Sequence, residues 1–344
     1  MAAYISFQPT DFFSPKLYTG TAGAGQTYTG LGFAPDLVWS KSRTAGNNSG
    51  VYDSVRGVEK LLYGNEPNAQ TTTTDGLATF GADGITFGAN GTIGDSSDFV
   101  NWCWKAGTTS GLVAGTHSVN SYSYNATSGF GIYQYTGDNT AGTITHGLGA
   151  VPKMIITKTI GSSVDWFVYH QATGAGKYML LNTTALQASS SIVWGNTTPT
   201  STVFSLGAGA ETNTSPNEYV AYVFADVKGF SKMGSYTGNG NNDGPFNYTG
   251  FRPAFIMTKS YSASANSWYM MDRLRTEPYN PQDGRLEADG AGTEQSTPDV
   301  DFCSNGFKLR ALDGGFNTSG TGYIYMAFSE FPFVSSNSKA GTAR

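Results

Sequence analysis

The stretch "KLYTGTAGAGQTYTGLGFAPDLVWSKSR", Lys16 to Arg43, contains a Tyr-Thr-Gly, a glycine-rich turn, a proline and an apolar run ending in lysine. The same order returns as "QYTGDNTAGTITHGLGAVPKMIITKT" from Gln134 and as "SYTGNGNNDGPFNYTGFRPAFIMTKS" from Ser235. Aligned on Pro35, Pro152 and Pro253, each copy has a glycine shortly before the proline (Gly32, Gly149, Gly250) and a lysine six residues after it (Lys41, Lys158, Lys259). Proline is tolerated at the mouth of a strand, where no ladder N–H is required. The runs between proline and lysine, "DLVWS", "KMIIT" and "AFIMT", predict a central strand covered on both faces.

The match continues downstream. "VYDSVRG" (Val51–Gly57), "WFVYHQATG" (Trp166–Gly174) and "WYMMDRLR" (Trp268–Arg275) each open on an apolar strand whose end is marked by Asp53, His170 and Asp272. "DGITFG" from Asp83, "STVFSLG" from Ser201 and "NGFKLR" from Asn305 follow as shorter strands. Each copy closes on one long alternating strand: "FVNWCWKAG" from Phe99, "YVAYVFADV" from Tyr219 and "YIYMAFSEF" from Tyr323. A repeat of roughly 100 residues is a whole domain, since solenoid rungs take about 20–50. Short strands with turn signals every ~8–12 residues and no helical stripe predict an antiparallel sandwich. The expected fold is therefore all-β, three tandem homologous antiparallel β-sandwich modules with little helix. The expected division is a leader over 1–15, modules over 16–112, 113–229 and 230–334, and a polar tail over 335–344. The nearest helical candidate, "SVRGVEKLLYG" (Ser54–Gly64), is long enough for one or two turns.

Composition agrees with strands. Charged residues are 13% of the chain and aromatics 14%, where an average soluble domain is about 25% charged. Ser, Thr, Asn and Gly must supply the polarity, which disfavours charge-carpeted surface helices. The 45 glycines suit turns with positive φ, and 6 Trp, 20 Tyr and 21 Phe suffice for a large core. A net charge of −5 with no basic run lacks the footprint of a nucleic-acid binder. No apolar stretch has the length of a transmembrane helix. "MAAYISFQPTDFFSPK" lacks the basic-then-apolar pattern of a secretory signal, so the chain is expected to start in a cytoplasm. Cys103 and Cys303 fall at non-equivalent places in different copies and read as free thiols.

Chemistry-bearing patterns are sparse. His117, His146 and His170 sit in no nucleophile elbow and read as turn or strand-end residues. Two distant cysteines and three scattered histidines fall short of a metal site. Asp53 and Asp272 are equivalent, but the second copy has His170 in that place, which reads as a strand-end polar position rather than a glycosidase acid/base pair. "NGNNDG" (Asn239–Gly244) begins like a calcium loop, yet the position of its bidentate Glu is Gly250, so it reads as a tight Asn/Gly turn. "GADGITFGANG" (Gly81–Gly91) leads into no helix and is no phosphate cradle. Lys41, Lys158 and Lys259 read as strand-end lysines that snorkel to water. Asn-x-Ser/Thr triplets such as those at Asn125 and Asn182 mean little without a secretory signal. Aromatics on loops, with Trp194 and Tyr261 as candidates, are the one feature suited to stacking on sugar. Catalytic residues, metal ligands and cofactors are expected to be none, and the receptor-binding residues are unknown.

The phrases "ISFQPTDFF", "KLYTGT", "GFAPDLVWSKSR", "YDSVRG", "NWCWKAG", "YVAYVFADV", "GPFNYTGFRPAFIMTK", "DFCSNGFKLR" and "YIYMAFSEFPF" resemble tail-fibre-like or virion surface proteins of marine tailed bacteriophages, including those of cyanobacteria. The resemblance covers nearly the whole chain. It implies a non-enzymatic virion structural protein displayed on the particle surface and released by lysis. The chain departs from a typical fibre in its short leader and in lacking a heptad or triple-stranded shaft pattern. The first expectation is host recognition: a homo-oligomer, perhaps trimeric, presenting loops to cell-surface glycans and bound to other virion proteins in tail or capsid. The alternatives are a purely structural capsid decoration or knob protein and, third, a polysaccharide depolymerase, which needs paired carboxylates in one groove.

Overall fold

The computed structural model describes residues 6–263, 265–275, 280–311 and 314–332. It is nearly all-β, with 45% strand and 3% helix. The first third of the chain forms β1 (Phe13–Thr19), β2 (Gln26–Thr29), β3 (Leu37–Ser42), β4 (Gly50–Asp53), β5 (Lys60–Tyr63), β6 (Thr71–Thr72), β7 (Leu77–Gly81), β8 (Gly84–Phe87) and β9 (Asp98–Trp104). Then come β10 (Val119–Asn125), β11 (Phe130–Thr136), β12 (Gly142–Thr145), β13 (Pro152–Thr159), β14 (Phe167–His170), β15 (Lys177–Leu180), β16 (Ala188–Ser189), β17 (Val203–Leu206) and β18 (Glu218–Ala225). The last third forms β19 (Ser231–Thr237), β20 (Phe246–Tyr248), β21 (Phe251–Ser260), β22 (Tyr269–Asp272), β23 (Gln282–Glu287), β24 (Gln295–Cys303), β25 (Gly306–Leu309) and β26 (Gly322–Pro332).

One spatial order recurs: β1-β9-β3-β4-β5-β6, then β11-β18-β13-β14-β15-β16 with β10 added at its edge, then β19-β26-β21-β22-β23. Smaller sheets β2-β8-β7 and β12-β17 stand apart, while β24-β25-β20 continues the third large sheet through β23. In each large sheet the proline-led strand lies beside the closing strand and is buried along its length. The prolines stand where a ladder N–H is dispensable: Pro35 precedes β3, and Pro152 and Pro253 lie at register shifts. Among the described residues, helix is confined to single turns at Pro9–Asp11, Ala210–Asn213 and Arg273–Arg275, and the Ser54–Gly64 stretch is a turn followed by β5.

The Tyr-Thr-Gly signature has a steric cause. Its tyrosine stacks on the first aromatic of the closing strand, Tyr18 on Phe99 at 5.4 Å between centroids, Tyr135 on Tyr219 at 5.2 Å and Tyr236 on Tyr323 at 5.0 Å. Its glycine lets backbone approach backbone. A Cβ on Gly20, Gly137 or Gly238 would stand 1.9, 2.5 or 2.3 Å from a carbonyl oxygen of Asp95, Thr214 or Thr318. The glycines ahead of the prolines serve a different need: Gly32, Gly149 and Gly250 have φ of +81°, +69° and +86°, which a side chain resists.

The closing strands send alternate residues to two cores. Val100, Trp102 and Trp104 of β9, Val220, Tyr222 and Phe224 of β18, and Ile324, Met326 and Phe328 of β26 all enter one apolar cluster built from the three large sheets together. The residues between them, such as Cys103, Tyr219, Ala221, Val223, Tyr323, Tyr325 and Ala327, face three separate clusters, each within one third of the chain. The period of two in a strand thus divides every closing strand between a shared core and a private one. The leader is part of this packing. Phe13–Pro15 already belong to β1, and Phe7 and Phe12 pack edge-on against Phe230 at 5.5 and 6.3 Å. The polar tail lies outside the described residues.

Candidate functional site

The residues that the repeats single out hold the three sheets together. Lys41, Lys158 and Lys259 are buried, at 0%, 1% and 0% exposure, rather than reaching water. Lys41 Nζ donates to the Gly290 carbonyl at 2.7 Å and Lys259 Nζ to the Thr184 carbonyl at 2.8 Å, each in another third of the chain. Lys158 Nζ instead serves its own loop, at Thr159 and Ser162. Burial pulls all three ammonium groups down to about 8. Snorkelling fails because each strand ends against a neighbouring sheet, where loop carbonyls replace water.

Asp53 and Asp272 are equally committed. Asp53 Oδ2 accepts from Arg56 Nε at 2.5 Å and from Tyr222 Oη, in another third, at 2.7 Å. Asp272 Oδ2 accepts from Arg275 Nε at 2.7 Å and from Trp102 Nε1 at 3.0 Å. Arg275 and Arg43 also share Glu294. Trp102, Tyr222 and Met326 occupy the same place on the three closing strands, three residues beyond the aromatic that stacks on the signature tyrosine. Met326 has no proton to donate. The second copy has a neutral, buried His170 in the place of Asp53 and Asp272, whose Nδ1 accepts from Ala172 N at 3.1 Å. Burial pushes its pKa down to about 4.

The other sequence candidates scatter. His146 is buried with Nδ1 taken by Leu148 N and Nε2 facing the Thr200 carbonyl, and burial lowers its pKa. His117 lies 3.3 Å from Asp138. Trp194 is a correction: at 1% exposure it packs in the core of the second third and offers no ring to a ligand. Tyr261 leans on the shared core and covers Gly322. In Asn239–Gly244 the Asn239 and Asn241 side-chain oxygens accept from the N–H groups of Asn241 and Asp243, as in Asx turns. Cys103 and Cys303 are free thiols, and burial pushes Cys103 up to about 12.

The exposed chemistry collects on the outer face of β24-β25-β20. Residues directly across a ladder share a face, so Phe246, Lys308 and Asp301 form one row and Tyr248, Gly306 and Cys303 the next. The alternate residues Asn247, Phe307, Leu309, Val300 and Phe302 are buried behind. Phe246 is 45% and Tyr248 61% exposed, which is rare for rings on a strand. Glycines keep them low: a Cβ on Gly306 would meet Phe246 Cζ at 2.8 Å, and one on Gly250 would lie 3.5 Å from Tyr248 Oη. Beside them opens a groove of about 850 Å³, lined by Asn242, Thr297, Asp299, Asp301 and Arg310 among others. Among the described residues the charges in and around it are paired: Arg310 Nε to Asp301 at 2.5 Å, Lys308 Nζ to Asp243 at 2.8 Å, and Arg285 to Asp299 at 3.3 Å. Lys308 and Arg310 hold the exposed Asp243 carboxyl below its usual range.

The other two copies lack this surface. Matched on the ladders, Phe246 corresponds to Thr27 and Thr143, Tyr248 to Thr29 and Thr145, and Lys308 to Thr86 and Ser205. The rings escaped sequence reading because "PFNYTG" alternates like a strand with a buried face, and only the pairing shows that Asn247 is the residue that points inward.

A protein-family profile described as Domain of unknown function (DUF7483) matches residues 8–332. No curated protein and no solved structure matches the chain.

Proposed function

The chain belongs to the family described as Domain of unknown function (DUF7483), and from that premise we propose a non-enzymatic surface protein of a tailed-phage particle that recognises host cell-surface glycan. The reading takes the chain as three homologous β-sandwich modules packed about a shared core. Two of them serve mainly as scaffold, and the third presents the binding face.

A single observation carries it. Only the third module has Phe246, Tyr248 and Lys308 where the others have Thr or Ser, on a face that borders an open polar groove. Flat exposed rings beside hydroxyl- and amide-bearing side chains are what a sugar face requires. The recurrent carboxylates Asp53 and Asp272 are enclosed in ion pairs and unavailable to a substrate, and Asp299 and Asp301 of the groove are each engaged by an arginine. This favours binding over depolymerase chemistry. A homo-oligomer such as a trimer, and the copies on a particle, would multiply this face and turn weak sugar contacts into adhesion.

Immunogold labelling of intact particles, together with binding of the purified protein to host cells, tests the proposal. Label at the tail with cell binding supports recognition. Label spread over the head with no cell binding overturns it in favour of a decoration protein.

A further inference from the structure

Resting on the glycan-recognition reading above, we infer that the outer face of β24-β25-β20 takes an uncharged hexopyranose, stacked on Phe246 and Tyr248 and hydrogen-bonded by the Asp301–Arg310 pair. The rings set the first half of the inference. They are two residues apart on one strand, so both leave the same face from Cα atoms about 7 Å apart, roughly the width of a sugar ring. Glycine beneath each leaves the rings lying along the sheet rather than standing from it. Two rings bordered by polar residues make too small an apolar patch for a stable protein interface, which buries about 800 Å² per partner.

The charges set the second half. Among the described residues, the ionic groups of this face and groove are paired within 4.0 Å: Lys308 and Arg310 with Asp243, Arg310 with Asp301, Arg285 with Asp299. An acidic sugar would need a cation in surplus and an amino sugar an anion in surplus, and the pairing supplies neither. A carboxylate held by a guanidinium keeps lone pairs for hydroxyl donors, while the guanidinium keeps N–H groups for hydroxyl acceptors. Asp301–Arg310 therefore matches two neighbouring hydroxyls. In the other two modules the residues matching Phe246, Tyr248 and Lys308 are Thr or Ser and include no ring, so one site per chain is expected.

The full-length protein is applied to an array of glucan, mannan and galactan hexasaccharides beside alginate and polygalacturonate hexasaccharides. Retention on at least one neutral set is expected, with affinity changing less than about twofold between 50 and 500 mM NaCl. Phe246→Ala and Tyr248→Ala each lower that affinity about tenfold, while Tyr248→Trp retains it. Both rings are exposed, so an unchanged Tm certifies the fold of each variant. Preference for the acidic sugars with a steep salt dependence overturns the uncharged ligand, and neutral-sugar binding indifferent to both alanine variants overturns the site; either leaves the recognition reading standing. No retention on any sugar while host-cell binding persists overturns this inference alone. Loss of cell binding as well removes the recognition reading with it.

Discussion

Tyr222 Oη donates a 2.7 Å hydrogen bond to Asp53 Oδ2 across 169 residues of sequence. It joins the closing strand of the second third to a strand end in the first, inside a core where neither group meets water. Trp102 Nε1 and Asp272 make the same bond between the first and last thirds. The carboxylates therefore depend on donors that arrive from another repeat.

Removing those donors leaves a buried carboxylate short of one bond. Tyr222→Phe is expected to cost about 1–3 kcal/mol, and Trp102→Phe a similar amount plus the loss of ring volume. Urea unfolding of both variants checks this. Equal stability of Tyr222→Phe and the parent would show that Arg56 alone satisfies Asp53.

The signature glycines are needed for space rather than for φ. Gly20→Ala, Gly137→Ala and Gly238→Ala drive a methyl into backbone carbonyls and are expected to destabilise by several kcal/mol. Gly161 has open space at its Cβ position, so Gly161→Ala is expected to be neutral or to stabilise by up to about 1 kcal/mol. Thermal melts of the four variants provide the comparison, and similar losses in all of them would refute the close-approach account.

Stability should pass through a maximum in mild alkali. Lys41, Lys158 and Lys259 are lowered from an ordinary 10.5 to about 8. Between those values the unfolded chain binds more protons, so stability rises with pH. Buried tyrosines act in the opposite sense. Tyr18, Tyr28, Tyr133, Tyr135, Tyr222 and Tyr236 are held well above 10.0 by burial, so above about pH 10 the unfolded chain sheds protons that the fold retains. Tm is expected to peak between about pH 9 and 10, and Lys41→Met to flatten the rise. A monotonic fall from pH 8 would contradict it.

His170 contributes an acid limb. Its pKa falls from an ordinary 6.5 to about 4 in the fold, so between those values the unfolded state binds the extra proton and stability drops as pH falls. Asp289 opposes this. Burial raises it from 3.8 to about 6, which favours the fold as pH falls across that range. His170→Met removes the first contribution and leaves the second. The loss of Tm from pH 6.5 to 4.5 should shrink in the variant, and an unchanged slope would place the acid sensitivity elsewhere.

Trp194 separates core from surface. Trp194→Ala is expected to cost about 3–5 kcal/mol, while the folded variant keeps the glycan affinity of the parent. A selective loss of binding at unchanged Tm would return Trp194 to the ligand site.

The all-β character, the strand positions and the two-faced closing strands were legible in sequence. Each rests on local rules: apolar alternation with a period of two, proline at a strand mouth, glycine where φ is positive or backbones touch. The marks on Lys41, Asp53 and their equivalents were legible as positions, but their partners were not. Gly290, Thr184, Tyr222 and Trp102 lie in other repeats, and sequence spacing carries no information about which strand ends meet across a core. The candidate surface was hidden for a related reason. Phe246 and Tyr248 sit on a strand of three residues whose inward side is fixed only by the ladder to β25, which turns Asn247 inward and leaves the rings outside. Sequence by itself determined an almost wholly β, antiparallel chain, because strand and turn preferences act within a few residues. Tertiary structure alone decided which polar groups are sealed between sheets and which rings face solvent, because burial depends on strands brought together from distant parts of the chain.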